Sequence, residues 1–184
     1  MKIKDIKIRE TGNMDFIDIM EVEEQAFGYI KEANLTADLL NDGTARPILS
    51  LLALHEGNAI GHILFTRVWL DERKDQPLLH ILAPLAVKPD FQKMGVGALL
   101  INEGLKLLKE MGSELVFVLG HMDYYPKYGF VPDAAKLGYS APFPIPEEYR
   151  NAWMVQSISP GGFSVNKGKV ICADELNKPE HWRE

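Results

Sequence analysis

Polar and charged side chains alternate with Ile3, Ile6 and Ile8 at the start of the chain, a period-two pattern that predicts an opening strand. The period then changes. Asn13-Met14-Asp15 offers a polar cap, after which Phe16, Ile19, Met20, Glu23 and Phe27 recur at three- and four-residue steps. That spacing predicts a helix running to about Phe27, with Phe16, Ile19, Met20 and Phe27 as its buried stripe. A second, shorter helix is predicted over residues 35–40, closed by Asp42-Gly43. Residues 48–55 and 59–70 read as an antiparallel strand pair around Glu56-Gly57-Asn58. Beyond a polar loop, residues 78–87 are almost continuously apolar, as a central strand covered on both faces would be.

Past Pro89 the helical period returns over residues 98–111, and Val96, Leu99, Leu100, Leu107, Leu108 and Met111 share one face, with Gly112 as the stop. Residues 115–119 predict a second buried strand. Residues 124–128 predict a short helix ended by Gly129, and residues 152–158 and 165–173 two late strands around Pro160-Gly161-Gly162. Strands with helices before, between and after the central pair make this an α/β chain with a mixed sheet in layers. The 184 residues suit one domain, 1–184, whose residues 132–184 supply its C-terminal strands and loops.

Composition narrows the partners. Apolar residues make up 46% and charged residues 25%, enough for a full core, and the formal charge is −6. No basic run stands out, so neither nucleic acid nor an anionic membrane is expected as a partner. Cys172 is the only cysteine, which rules out an intrachain disulfide. The alternating N-terminus is unlike a signal peptide, and no stretch approaches the roughly 20 apolar residues of a membrane span. A cytoplasmic location is expected.

Candidate chemistry begins at residues 92–98. A strand ends near Val87, and Gly95 and Gly97 stand where the long helix begins. The first turn of a helix has free N–H groups and the positive end of the helix dipole, and glycines let the backbone come close to an anion. Lys93 adds a mobile positive charge, so the segment describes a cradle for a diphosphate, although paired glycines also serve tight helix packing. A Walker loop does not fit, because Gly97-Ala98-Leu99 lacks its Gly-Lys-Ser/Thr ending. A Rossmann fingerprint needs a third glycine where Leu100 stands and glycines directly after the strand, and Gly95 lies eight residues past Val87.

The fuller string, Leu85-Ala86-Val87-Lys88-Pro89-Asp90-Phe91-Gln92-Lys93-Met94-Gly95-Val96-Gly97-Ala98, resembles the coenzyme A motif of the GNAT superfamily of N-acetyltransferases. Its signature is Gln/Arg-x-x-Gly-x-Gly/Ala after a strand ending in apolar-x-Val-x-Pro. The resemblance implies a GNAT-like, mostly antiparallel sheet flanked by helices, in which residues 82–87 splay from residues 115–119. It implies acetyl-CoA as co-substrate, with no metal. The pantetheine arm would bond main-chain groups of Leu85, Ala86 and Val87, and the diphosphate would rest on the amides of Lys93, Met94, Gly95, Val96, Gly97 and Ala98. Gln92 belongs to the motif as a cofactor-site or structural residue.

Tyr124-Tyr125-Pro126-Lys127-Tyr128-Gly129-Phe130 resembles the same family's late aromatic element, and by position Tyr125 matches the tyrosine often assigned as general acid. A phenol close to the sulfur suits protonation of a leaving thiolate. Where the family often has Asn, this chain has His121-Met122, and the Gly120-His121 step resembles a YhbS-like bacterial branch. His121 is the candidate general base, because an imidazole titrates near neutrality. Glu23, Glu24 and His80 are alternatives acting through water. The histidines show no metal-ligand spacing and no Gly-x-Ser-x-Gly elbow is present, so direct transfer in a ternary complex is expected over an acyl-enzyme. The resemblance places the acceptor, a small-molecule or peptide amine, near Phe27, Tyr29, Glu32 and residues 142–146, on a monomer or homodimer. A non-catalytic acyl-CoA sensor or interaction module on the same fold stays open.

Overall fold

The computed structural model describes residues 2–163 and 167–182. Its first strand begins later than the alternation predicts. Residues 3–5 form a single tight turn, closed by the Lys2 N–H donating to the Asp5 carboxylate at 3.3 Å, and β1 is Ile6–Glu10. A short turn over Asn13–Asp15 leads into α1, Phe16–Phe27. Asp15 accepts from the Gly12 N–H at 2.7 Å and takes two bonds from the Arg9 guanidinium, at 2.8 and 2.7 Å, which ties the helix entry to β1.

The buried face of α1 is Ile19, Val22 and Glu23, against Leu52, Ala59 and Ala86. Phe16 is 44% exposed, so the expected stripe is rotated. Val22, which the expected stripe leaves out, is fully buried instead, and Phe16 stands at the first residue of the helix. Helix α2, Lys31–Asn41, starts a turn earlier than expected and buries Ala33, Thr36 and Leu39.

Strands β2 (Leu49–His55), β3 (Asn58–Leu70) and β4 (Leu79–Val87) form an antiparallel centre. Helix α3, Val96–Glu110, covers the face opposite α1, against Ile63, Phe65, Leu82, Val116 and Val118. Val96, Leu100 and Leu108 are buried as predicted, Leu99 and Leu107 only partly, and Met111 is exposed. Ile101 and Leu105 take the remaining core positions, because the Phe65 ring packs onto Gly104 and centres the contact there.

The C-terminal strands are β5 (Leu115–Leu119), β6 (Val131–Pro132), β7 (Tyr139–Ser140), β8 (Trp153–Ser157) and β9 (Gly168–Cys172). The described residues form one nine-stranded sheet ordered β1-β2-β3-β4-β5-β8-β6, with β9 beside the far end of β3 and β7 beside β9. The strands flanking Pro160-Gly161-Gly162 are therefore not partners; Val165, expected in the second of them, lies outside the described residues. Every pairing is antiparallel except β4 with β5 and β7 with β9.

The β4–β5 pairing prepares the site. It runs from Leu79 opposite Leu115 to Leu82 opposite Val118 and stops. On its other edge β4 carries an extra residue against β3, since Phe65 faces Leu82 while Ile63 faces Leu85. A bulge of this kind bends the strand and increases its twist, and Pro84 within it has no N–H to offer a partner. The two central strands part here, as the resemblance implies.

Candidate active site

Beyond the parting, residues 85–87 pair with β3 on one edge only, and their other edge faces the gap. The chain then turns through Pro89–Phe91 and reaches Gln92, whose side-chain amide donates to the Val87 carbonyl at 3.0 Å. Gln92 thereby holds the strand end and the glycine loop together. Lys93 and Gly95 both adopt positive φ, 60° and 89°, which turns successive backbone N–H groups to one side. Among the described residues the amides of Lys93 through Ala98 have no backbone acceptor; Leu99 is the first to find one, donating to the Gly95 carbonyl at 3.1 Å. At Gly97 a Cβ would overlap the Tyr124 hydroxyl. The structure thus brings together all ten residues expected at the acyl-carrier site, as a free strand edge followed by six unpaired amides at the positive end of a 15-residue helix. This donor set fits a pantetheine–diphosphate chain.

The second motif meets that loop. Tyr125 is 8% exposed and lies edge-on to Tyr124 and Phe130, with its ring over Gly120, where a Cβ would collide with it. Burial, reinforced by Tyr128, pushes the Tyr125 phenol well above its ordinary range, so it keeps its proton. Tyr124, given no role of its own by the sequence, joins the two motifs by resting its hydroxyl on Gly97 while its ring edge meets Tyr125.

Leu82, Ala83 and Pro84 floor a cleft of about 370 Å³, and Tyr125 and His121 stand on its wall. His121 is exposed at the rim. Phe27 and Glu32 form the α1–α2 side, as expected of acceptor walls, and Leu176, His181 and Trp182 close the far side. Nothing in the sequence marks that C-terminal wall. Trp182 is held by donating its indole N–H to the Leu176 carbonyl at 3.0 Å and by edge packing on Trp153. Two expected walls lie elsewhere: Tyr29 is exposed beside Phe27, and residues 142–145 line a separate hollow with Trp153.

The alternative bases separate clearly. Glu24 is exposed on the outer side of α1. His80 is fully buried, with Nδ1 bonded to Ser113 Oγ at 2.8 Å and Nε2 donating to the Pro47 carbonyl at 2.9 Å. Burial lowers its pKa to about 4, so it is a neutral structural histidine. Glu23 is also fully buried, 2.5 Å from His62 Nδ1, whose Nε2 meets Ser50 Oγ at 2.9 Å. Burial raises the Glu23 pKa, and the bond from His62 opposes that shift. Cys172 is buried in β9 with its thiol pKa pushed up, which leaves it inert. Among the described residues no group of three His, Cys, Asp or Glu side chains is arranged to hold a metal ion.

The acetyltransferase (GNAT) family matches residues 16–130, from the first helix through the late aromatic element. The chain belongs to that family. It is 54% identical over 164 residues to the uncharacterized N-acetyltransferase YjhQ of Escherichia coli (strain K12), covering 89% of this chain and 90% of that protein. Among solved structures it is similar to the GNAT family N-acetyltransferase YhbS from Escherichia coli in complex with CoA. That likeness has a TM-score of 0.84 and 27% identity, over 95% of this chain and 93% of that one. A GNAT family acetyltransferase from Brucella melitensis in complex with acetyl-CoA follows at a TM-score of 0.72 and 26% identity, over 93% and 97% of the two chains.

Proposed function

We propose that residues 1–184 are a single N-acyltransferase domain that moves an acetyl group from acetyl-CoA to a primary amine by direct attack in a ternary complex. The observation that carries this reading is the free edge of Leu85, Ala86 and Val87 running into the six unpaired amides of residues 93–98, beside a cleft that contains Tyr125. The CoA and acetyl-CoA complexes of the two similar structures support it.

Bound acetyl-CoA supplies an acetyl group activated as a thioester. Leu85, Ala86 and Val87 offer main-chain groups to the pantetheine amides, and the amides from Lys93 to Ala98 hold the diphosphate, with Lys93 adding charge and Gln92 keeping the loop in place. Holding both reactants beside each other removes much of the entropic barrier. Tyr125 retains its proton for the departing sulfur, as its burial demands. His121, at the rim, takes the proton that the nitrogen sheds as it bonds to carbon. The acceptor is a small-molecule or peptide amine. Nucleic acid and membrane surfaces are not its partners, given the acidic balance of charge, and no helix among the described residues is long and apolar enough to cross a membrane. The working form is a monomer or homodimer in the cytoplasm.

Calorimetry with acetyl-CoA and a thiol-release assay with a panel of primary amines test the proposal. Binding and amine-dependent thiol release are expected from the wild type, both lost in Gly95→Asp/Gly97→Asp. A folded wild type that binds acetyl-CoA and releases no thiol with any amine would be a sensor, and the enzymatic reading would be wrong.

A further inference from the structure

A second hollow, of about 660 Å³, is built from the C-terminal strands and loops, and no residue that lines it also lines the cleft. Sites for small ligands are commonly of this size. Its walls come from the segment between β6 and β8, with Trp153 at the start of β8 and Lys169 from β9. Hydrogen bonds and ion pairs fix these walls. The Trp153 indole N–H donates to the Tyr139 carbonyl at 2.8 Å, and the Ala134 N–H donates to the Trp153 carbonyl at 2.9 Å. The Arg150 guanidinium ties Glu147 to Asp133, which stands 3.6 Å from it.

The chemistry of the hollow has two parts. Residues 141–145, Ala-Pro-Phe-Pro-Ile, join Trp153 in an apolar wall on which Phe143 and Ile145 stay partly exposed. Covering such surface with an apolar group is favourable. The charges are unevenly matched: three cations, Lys136, Arg150 and Lys169, stand with two acids, Asp133 and Glu147. Arg150 engages both acids. Lys136 and Lys169 have no carboxylate partner among the described residues, in a chain whose formal charge is −6. Their backbones are held, since the Lys136 N–H donates to the Asp133 carbonyl at 3.0 Å and Lys169 pairs with Ser140 across β7 and β9. One surplus positive charge beside an apolar wall suits a monoanion with an apolar body, whereas a second negative charge would meet Asp133 and Glu147.

We propose that this hollow binds a small amphipathic monocarboxylate, with its apolar body against residues 141–145 and Trp153 and its carboxylate on the Lys136 and Lys169 ammonium groups. The site shares no residue with the acyl-carrier segment or the acceptor cleft. It therefore fills with acetyl-CoA present or absent, and whether or not the chain transfers acetyl groups.

Three probes separate the two parts: naphthylacetate has the ring and the charge, naphthylacetamide the ring alone, and acetate the charge alone. Calorimetry on the full chain, with and without acetyl-CoA, is expected to show naphthylacetate bound at least about threefold tighter than the amide, the scale of exposed charge pairs, and acetate not bound. Added salt should narrow that margin. Lys136→Gln/Lys169→Gln is expected to abolish the margin and leave the affinity for the amide within about twofold. Ala135→Phe, at an exposed position on the wall, should weaken both ring probes at least about tenfold by filling the space. NMR locates the probe: the Trp153 indole N–H and the Ser140 amide should shift, and the amides of Lys93 to Ala98 should not. Equal binding of acid and amide, a margin that survives in the lysine variant, or full affinity in Ala135→Phe overturns the proposal. So does a wild type that does not bind naphthylacetate, or a probe that shifts only the Lys93–Ala98 amides and is displaced by acetyl-CoA, because it then occupies the acyl-carrier site.

Discussion

The two halves of the cleft are made of different material. The donor half, residues 85–98, is backbone: an unpaired strand edge, six amides and two glycines, with side chains serving mainly to hold the loop, as Gln92 does. The acceptor half is side chain: Phe27, Glu32, Tyr125, His121 and Trp182, brought together by α1, α2, the parting of β4 and β5, and the C-terminal segment. A backbone site fails when something fills its space. A side-chain site fails when a single functional group changes, so the two halves separate in kinetics.

The largest effect is expected on the acceptor side. Tyr125→Phe removes one oxygen and leaves the ring packed on Gly120, Tyr124 and Phe130. If the phenol protonates the departing sulfur, kcat falls on the order of 100- to 10,000-fold while the KM for acetyl-CoA changes less than about twofold. Steady-state kinetics decide it; a KM effect of similar size would move Tyr125 to the donor half.

Gly97→Ala is the donor-side counterpart. Its new methyl meets the Tyr124 hydroxyl, whereas every other neighbour stands at ordinary contact distance. Overpacking of this kind costs about 1–3 kcal/mol, or roughly a 5- to 150-fold loss of acetyl-CoA affinity if the strain falls on the cradle. Adding Tyr124→Phe removes the clashing oxygen, so the double variant should recover much of the binding. Calorimetry on the four proteins closes the cycle, and a double variant no better than Gly97→Ala would show that the methyl acts on the amides themselves.

That contrast explains what was legible in the sequence. Gly95 and Gly97 were readable because a backbone cradle tolerates few other residues, and the surrounding Pro89 and Gln92 sit at fixed offsets from them. Tyr125 was readable because its motif lies in one short run. Glu32 was visible only as an acidic residue near the expected acceptor wall. The pairing of Glu23 with His62 spans 39 positions, and no local pattern announces it. Periodicity also placed Phe16 in the core of α1, whereas Phe16 stands exposed at the first residue of the helix and Val22, outside the expected stripe, is buried. The far wall, Leu176 to Trp182, carried no motif.

Histidines sharpen the comparison next. His62 and His80 are both fully buried in the sheet, yet His80 is sealed between Ser113 and a backbone carbonyl, away from the cleft. His80→Gln should lower stability by about 1–3 kcal/mol, through the polar partners it leaves, and should not move the kcat pH profile. The sign of its pH dependence follows from a folded pKa of about 4, below the ordinary value. The stability it contributes is complete above about pH 6.5 and is lost as pH falls towards 4, because the unfolded imidazole takes a proton that the folded one refuses. Denaturant titrations at pH 7 and pH 5 should therefore show a smaller acid loss in the variant than in the wild type.

The smallest effect belongs to the anchor of α1, which carries Phe27 into the acceptor half. The Arg9 guanidinium and the Gly12 N–H lower the Asp15 pKa to about 2. A depressed carboxylate stabilises the fold above its unfolded pKa of about 4 and loses that contribution as pH falls towards 2. Arg9 is 46% exposed at its side chain, so water screens the pair and the stabilisation is about 1 kcal/mol, below what the full shift would give. Asp15→Asn should cost that amount at pH 7 and nothing at pH 2. Since Asp15 ties only the entry of α1 to β1, acetyl-CoA affinity should not change. A loss of acetyl-CoA binding in Asp15→Asn would mean that the two halves are mechanically coupled through α1, and the division between a backbone half and a side-chain half would not hold.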